Sequence, residues 1–145
     1  MAKIGEIMQK IVISNPKTGM WFLSHMPASF WERQGRKKAL ATFYEAAERV
    51  PAYQKFLKEK GVNPKEIRTF EDFQKKVPLT DKENYILKYP LNELCWGEKI
   101  EKMYTVSTSS GSTGTPSFWP RLPQQDLFLP KYWEVLFYST KLGNK

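Results

Sequence analysis

Apolar positions recur at helical spacing through most of the chain and change to a strand-like pattern only toward its last third. Ile4, Met8, Ile11 and Val12 share one helical face, and Asn15, Pro16, Lys17, Thr18 and Gly19 predict a turn that interrupts it. Met20, Trp21, Phe22 and Leu23, followed by Phe30 and Trp31, are expected to pack on a core, because exposed aromatics are costly and a membrane-surface helix would segregate its faces more clearly. Leu40, Phe43, Ala47 and Val50 mark a helix that begins behind the cations Arg33, Arg36, Lys37 and Lys38.

Short, well-punctuated helices follow. Pro51 opens one that carries Tyr53, Phe56 and Leu57 and stops at Gly61. Asn63-Pro64-Lys65-Glu66 combines a cap, a first-position proline and a capping-box acid. Thr69 caps a helix buried through Phe70 and Phe73 and ended by Pro78. Thr80-Asp81-Lys82-Glu83 predicts a second capping box for a helix carrying Tyr85, Ile86 and Tyr89 and closed by Pro90.

The pattern then changes. Lys102 to Ser107 is rich in β-favouring residues, and Ser117, Phe118 and Trp119 predict a second short strand ending at Pro120. Beyond Pro130, Tyr132, Trp133, Leu136, Phe137 and Tyr138 predict an apolar helix whose aromatics need a cover.

Between the two strands lies Thr108-Ser109-Ser110-Gly111-Ser112-Thr113-Gly114-Thr115-Pro116. Its glycines permit positive φ and close backbone approach, while its hydroxyls and amides offer donors without negative charge, a combination suited to a polyphosphate. A flexible Ser/Gly linker or an ordinary hairpin loop is the alternative. Strand-like flanks and the exit proline favour a fixed loop. A Walker loop is excluded because Thr115, not lysine, follows Gly114, and a dinucleotide fingerprint lacks its third glycine.

Composition narrows the classes. The 145 residues, 41% hydrophobic and 14% aromatic, suffice for one modest core. A formal charge of +8 and a sequence pI near 9.5 favour anionic partners, whether nucleic acid, an acidic membrane surface, or nucleotide and coenzyme A. Cys95 alone forms no internal disulfide, and with His25 as the sole histidine no Cys/His metal spacing or catalytic Ser-His-Asp or Cys-His set exists. His25 is expected to be an incidental surface or packing residue, and Cys95 a small buried side chain. Met20 to Leu23 is far shorter than the ~20 residues of a membrane span or the core of a secretory signal, so a cytoplasmic chain is expected. Nothing repeats at a fixed period.

Residues Ser109 to Pro116 resemble the phosphate loop of the adenylate-forming ligases, which activate carboxylates with ATP. Upstream, Arg49-Val50-Pro51-Ala52-Tyr53, Gly61-Val62-Asn63-Pro64, Ile67-Arg68-Thr69-Phe70-Glu71-Asp72 and Val77-Pro78-Leu79-Thr80-Asp81-Lys82 occur in the order found at the start of the phenylacetate–coenzyme A ligase family. The resemblance runs from about Phe43 onward. It departs where relatives carry a lysine beside the loop proline, since this chain has Thr115 before it and Ser117 after it, leaving charge to Arg121 or a residue elsewhere.

The resemblance implies an α/β fold, the N-terminal part of the large domain of an adenylate-forming ligase, helix-rich with a few strands flanking the phosphate loop. It divides the chain into residues 1–36, an extension without an assigned role, and 37–145, a helical segment plus the start of the AMP-binding domain. It implies nucleotide binding by Ser109, Ser110, Gly111, Ser112, Thr113, Gly114 and Thr115, with ATP, Mg²⁺ and coenzyme A as co-substrates of a complete enzyme and a carboxylic acid as its substrate. No catalytic acid or base and no metal ligand is assigned. The family's adenine, ribose and magnesium contacts and its catalytic lysine lie downstream, so these residues alone are expected not to form acyl-adenylate. A fragment, one piece of a split enzyme with a complementing C-terminal chain, or a remnant follows. The alternative is a basic, non-enzymatic module; nucleic acid is disfavoured for it, because such a surface would interleave charges over a longer tract than Arg33 to Lys38.

Overall fold

The computed structural model describes residues 15–96, 103–109 and 114–140. The expected helix through Ile4 and Val12 lies outside them. The described residues form two compact units, 15–31 with 121–140 and 32–120.

In the first unit, Asn15 to Gly19 is a helix start rather than a turn. The Asn15 Oδ1 accepts the Lys17 N–H at 2.9 Å and Pro16 takes the first helical position, where its missing N–H costs nothing, so helix α1 runs Pro16–His25. Helix α2 (Ala28–Arg49) places its first turn in this unit. Phe22, Phe30 and Trp31 meet edge to face at 5.2–6.0 Å between centroids. The expected core packing holds for these half-buried rings but not for Trp21 or Leu23, which are exposed. Trp21 instead stacks on His25 at 4.7 Å, and His25 stays on the surface.

The last helix of this unit (Pro123–Tyr138) begins seven residues before the proline expected to precede it, with Pro123 at its first turn and Pro130 inside. Pro130 has no N–H to donate to the preceding turn, a local loss the helix tolerates. Val135 is buried, while Leu127, Tyr132, Trp133, Leu136 and Phe137 are exposed.

The second unit owes its core to helix α2 and its successors. Val50 is extended, as the residue before a proline prefers, and Pro51 opens helix α3 (Pro51–Glu59). Gly61, at φ 68°, ends it: the Gly61 N–H donates to Lys58 O at 3.1 Å and the Val62 N–H to Leu57 O at 2.9 Å, the paired bonds of a Schellman motif. A tight turn at Pro64–Glu66 is capped by Asn63, and helix α4 (Phe70–Lys76) carries a reciprocal box between Thr69 and Asp72.

The next expected capping box is shifted by one residue. Asp81 caps, and Asn84 rather than Glu83 returns the bond, over a single wide turn Lys82–Ile86 that does not reach Tyr89. Helix α5 (Leu91–Leu94) follows, then strands β1 (Thr105–Thr108) and β2 (Phe118–Arg121), which form a two-stranded antiparallel sheet. We label the Pro123–Tyr138 helix α6.

Phe43, Phe56, Leu57 and Ile67 form the buried centre of this unit, with Leu40, Tyr53, Phe73 and Tyr85 packed against them. Each buried side chain contributes roughly 1.5–3 kcal/mol relative to exposure. The Tyr44 hydroxyl donates to the Ile67 carbonyl and pins the chain between α3 and α4. Cys95 is buried as expected, and burial pushes its thiol pKa up.

Candidate functional site

The hydroxyl–glycine loop joins β1 to β2. The β-branched Thr105, Val106 and Thr108 suit a pleated strand, and β2 runs through Pro120 to Arg121 rather than ending at the proline. A proline fits there because either strand of a two-stranded sheet has a free edge. β1 starts at Thr105, later than the expected Lys102, which lies outside the described residues.

Of the nucleotide-binding residues expected from sequence, Ser109, Gly114 and Thr115 are described; Ser110, Gly111, Ser112 and Thr113 fall outside the described residues. At the mouth, the Ser109 N–H donates to Ser117 O at 3.0 Å and the Ser117 N–H donates to Ser109 Oγ at 2.8 Å. Ser117 is only 4% exposed, whereas Gly114, Thr115 and Pro116 face solvent. Gly114 has φ 120°, a conformation that L side chains rarely adopt, although a Cβ there would meet nothing within 4 Å. The backbone, not space, demands glycine.

Arg121 is one cation the sequence offers to this loop, and its charge is already engaged: Nε donates to Asp126 Oδ1 at 2.8 Å. Among the described residues no three carboxylate, histidine or cysteine side chains converge to hold a metal, so no step through Mg²⁺ is assigned to them.

The cationic cluster is not a helix start. Arg33, Arg36, Lys37 and Lys38 lie within α2, because that helix begins at Ala28. Arg36 donates to Glu32 at 2.7 Å and to Glu71 at 3.0 Å and lies over the Phe70 ring at 5.2 Å; the Glu32 hydrogen bond is the main cause of its raised pKa. A cation committed to two carboxylates and a ring is a fastening between helices, which weakens the nucleic-acid reading of this patch.

An open apolar groove of about 560 Å³ runs along α2, with Gly35, Ala39, Thr42 and Ala46 on one wall and Tyr53 and Phe73 near the other. Sequence inspection for large apolar residues passes over it. Its signal is the recurrence of small residues at helical spacing, and Lys38 is the charged residue in its lining.

Among the described residues, no helix is long and apolar enough to cross a membrane. No protein-family profile matches the chain, and no solved structure matches it. Over 81 residues, 56% of its length, the chain is 37% identical to the phenylacetate-coenzyme A ligase of Thermus thermophilus. It spans 17% of the length of that curated relative. Over this part, the chain is similar to an acid–coenzyme A ligase.

Proposed function

We propose that these residues form the N-terminal part of an AMP-forming carboxylate–coenzyme A ligase whose loop, Ser109 to Thr115, holds the phosphates of ATP. The observation that carries the proposal is the 37% identity over 81 residues to a protein named phenylacetate-coenzyme A ligase. A loop whose mouth is tied at Ser109 and Ser117, with Gly114 at positive φ, is a shape that backbone donors can use.

In the complete enzyme a carboxylate oxygen attacks the α-phosphorus of ATP, the bond to the bridging oxygen breaks, and pyrophosphate leaves. The acyl group then passes from AMP to the coenzyme A thiol. Mg²⁺, when bound, shares the phosphate charge. The task of this chain is to position the polyphosphate: fixed amides and hydroxyls of the loop hold the departing pyrophosphate oxygens in place as charge develops. No residue of the loop needs to exchange a proton. The carboxylic acid and any complementing C-terminal chain belong to the same proposal.

The test is acid-dependent exchange of pyrophosphate into ATP by the native polypeptide that contains these residues. Gly114→Val, and likewise Gly111→Val, should lower exchange by about a hundredfold or more, because misplacing a charge-stabilising donor costs that much. Exchange left intact by both changes would remove the phosphate role.

A further inference from the structure

We propose one change to that ligand set: Ser109 is a latch for the loop, a positioning residue whose hydroxyl oxygen takes the place of its own carbonyl in the hairpin ladder, which leaves the phosphates to the residues after it. In a hydrogen-bonded antiparallel pair the two opposed residues exchange both N–H···O=C bonds. Ser109 and Ser117 complete only one of them, from the Ser109 N–H to the Ser117 carbonyl at 3.0 Å. The return bond, from the Ser117 N–H, goes to Ser109 Oγ at 2.8 Å.

A serine oxygen standing in for a backbone acceptor is the device that caps helices, and here it caps a ladder. Its consequence is geometric. The ladder closes at Ser109 on a side-chain oxygen rather than on a backbone carbonyl. The latch also meets a need of the partner: Ser117 is 4% exposed, so its N–H has little recourse to water and would be costly to leave unpaired. With one lone pair committed to this bond, the oxygen's place is fixed by Ser117 rather than by a ligand. Gly114 at φ 120° sets the far side of the same loop. That the fixed mouth serves a polyphosphate rests on the function proposed above; the latch itself does not.

Amide hydrogen exchange of the 145-residue chain without ligand, read by NMR, tests the latch. Ser109→Ala should speed exchange of the Ser117 N–H about fivefold or more relative to that of Ser107, which lies two residues along β1 and so in the next hydrogen-bonded pair, the factor expected for one lost hydrogen bond. Ser109→Thr, which keeps the oxygen, should restore it. An unchanged Ser117 rate in the alanine variant, equal acceleration of Ser107, or failure of threonine to rescue would each overturn the latch.

Titration with inorganic pyrophosphate, followed at the Gly114 amide, separates the two proposals. Retained response in wild type and Ser109→Thr with loss in Ser109→Ala supports positioning. Loss in Ser109→Ala with an unchanged Ser117 rate would make Ser109 a ligand and overturn the latch. Normal latch behaviour with no response even in wild type would leave the latch standing and remove the phosphate reading.

Discussion

Helix α3 and helix α6 both carry large apolar side chains, yet these stand differently in the molecule. Ala52, Phe56 and Leu57 of α3 are almost wholly buried, whereas Leu127, Trp133, Leu136 and Phe137 of α6 are about half exposed or more. α3 gathers its apolar residues on one face, away from Lys55, Lys58 and Glu59, whereas α6 spreads its apolar residues around the helix, and what surrounds each helix follows that difference. α3 is bounded by an extended Val50 before Pro51 and by the Schellman bonds at Gly61, and its neighbours return over it through Ile67 and Tyr85. α6 carries Pro130 in its interior and satisfies charge locally, Lys131 pairing with Glu134 at 3.1 Å. A helix with paired charges and an open apolar surface offers little to solvent or to a charged partner, and it has the chemistry of a face awaiting an apolar cover.

The sharpest way to break the comparison is Phe56→Ala. Phe56 is 1% exposed and lies against Tyr53 and Tyr85, with ring centroids at 6.2 and 5.5 Å. Truncation should destabilise the chain by about 3–5 kcal/mol, the transfer loss plus the cavity, measured by urea denaturation. A loss below about 1 kcal/mol would mean that the second unit does not depend on this core.

The core was legible in the sequence because its signals are local. Helical spacing picked out Phe43, Phe56 and Leu57, and the stop at Gly61 needs only the few residues around it. Competing local meanings account for most of the differences. Asn15-Pro16 suits a turn or a helix start, and only the chain after it decides. Thr80 and Asp81 can both cap; Asp81 wins because the Asn84 amide accepts the Asp81 N–H at 2.9 Å and donates to Leu79 O at 3.2 Å and Asp81 Oδ2 at 2.9 Å, which the carboxylate of Glu83 cannot do.

The candidate site divides the same way. Positive φ at Gly114 follows from residue type, so sequence anticipates it. The bond between Ser109 and Ser117 depends on cross-strand register, and the pairing of Arg121 with Asp126 depends on α6 starting before Pro130; neither can be read from spacing alone.

A smaller effect tests whether caps support the core. The Asp72 N–H donates to Thr69 Oγ1 at 3.0 Å, and Asp72 Oδ2 accepts the Thr69 N–H at 3.1 Å. Thr69→Ala should cost about 1 kcal/mol in thermal or urea unfolding. The Lys76 ammonium, then the backbone N–H groups of Arg68 and Thr69, hold the Asp72 carboxyl well below the usual carboxylate range. Its contribution is therefore complete above about pH 4, the unfolded value, and is lost as pH falls through the folded one. Asp72→Asn should flatten that acid limb of the stability profile, and an unaltered limb would show that the carboxylate does not report on the cap.

The smallest expected effect bears on α6. Phe137 is 55% exposed and stacks on Trp133 at 5.7 Å, so its ring gives up little water contact when the chain folds. Phe137→Ser should change unfolding stability by about 0.5 kcal/mol or less, the range of surface substitutions. A cost of 2 kcal/mol or more would place α6 on a par with α3 and dissolve the comparison. A near-zero cost would mean that the aromatic surface of α6 adds little to the stability of these 145 residues, leaving its apolar character to be explained by association rather than by folding.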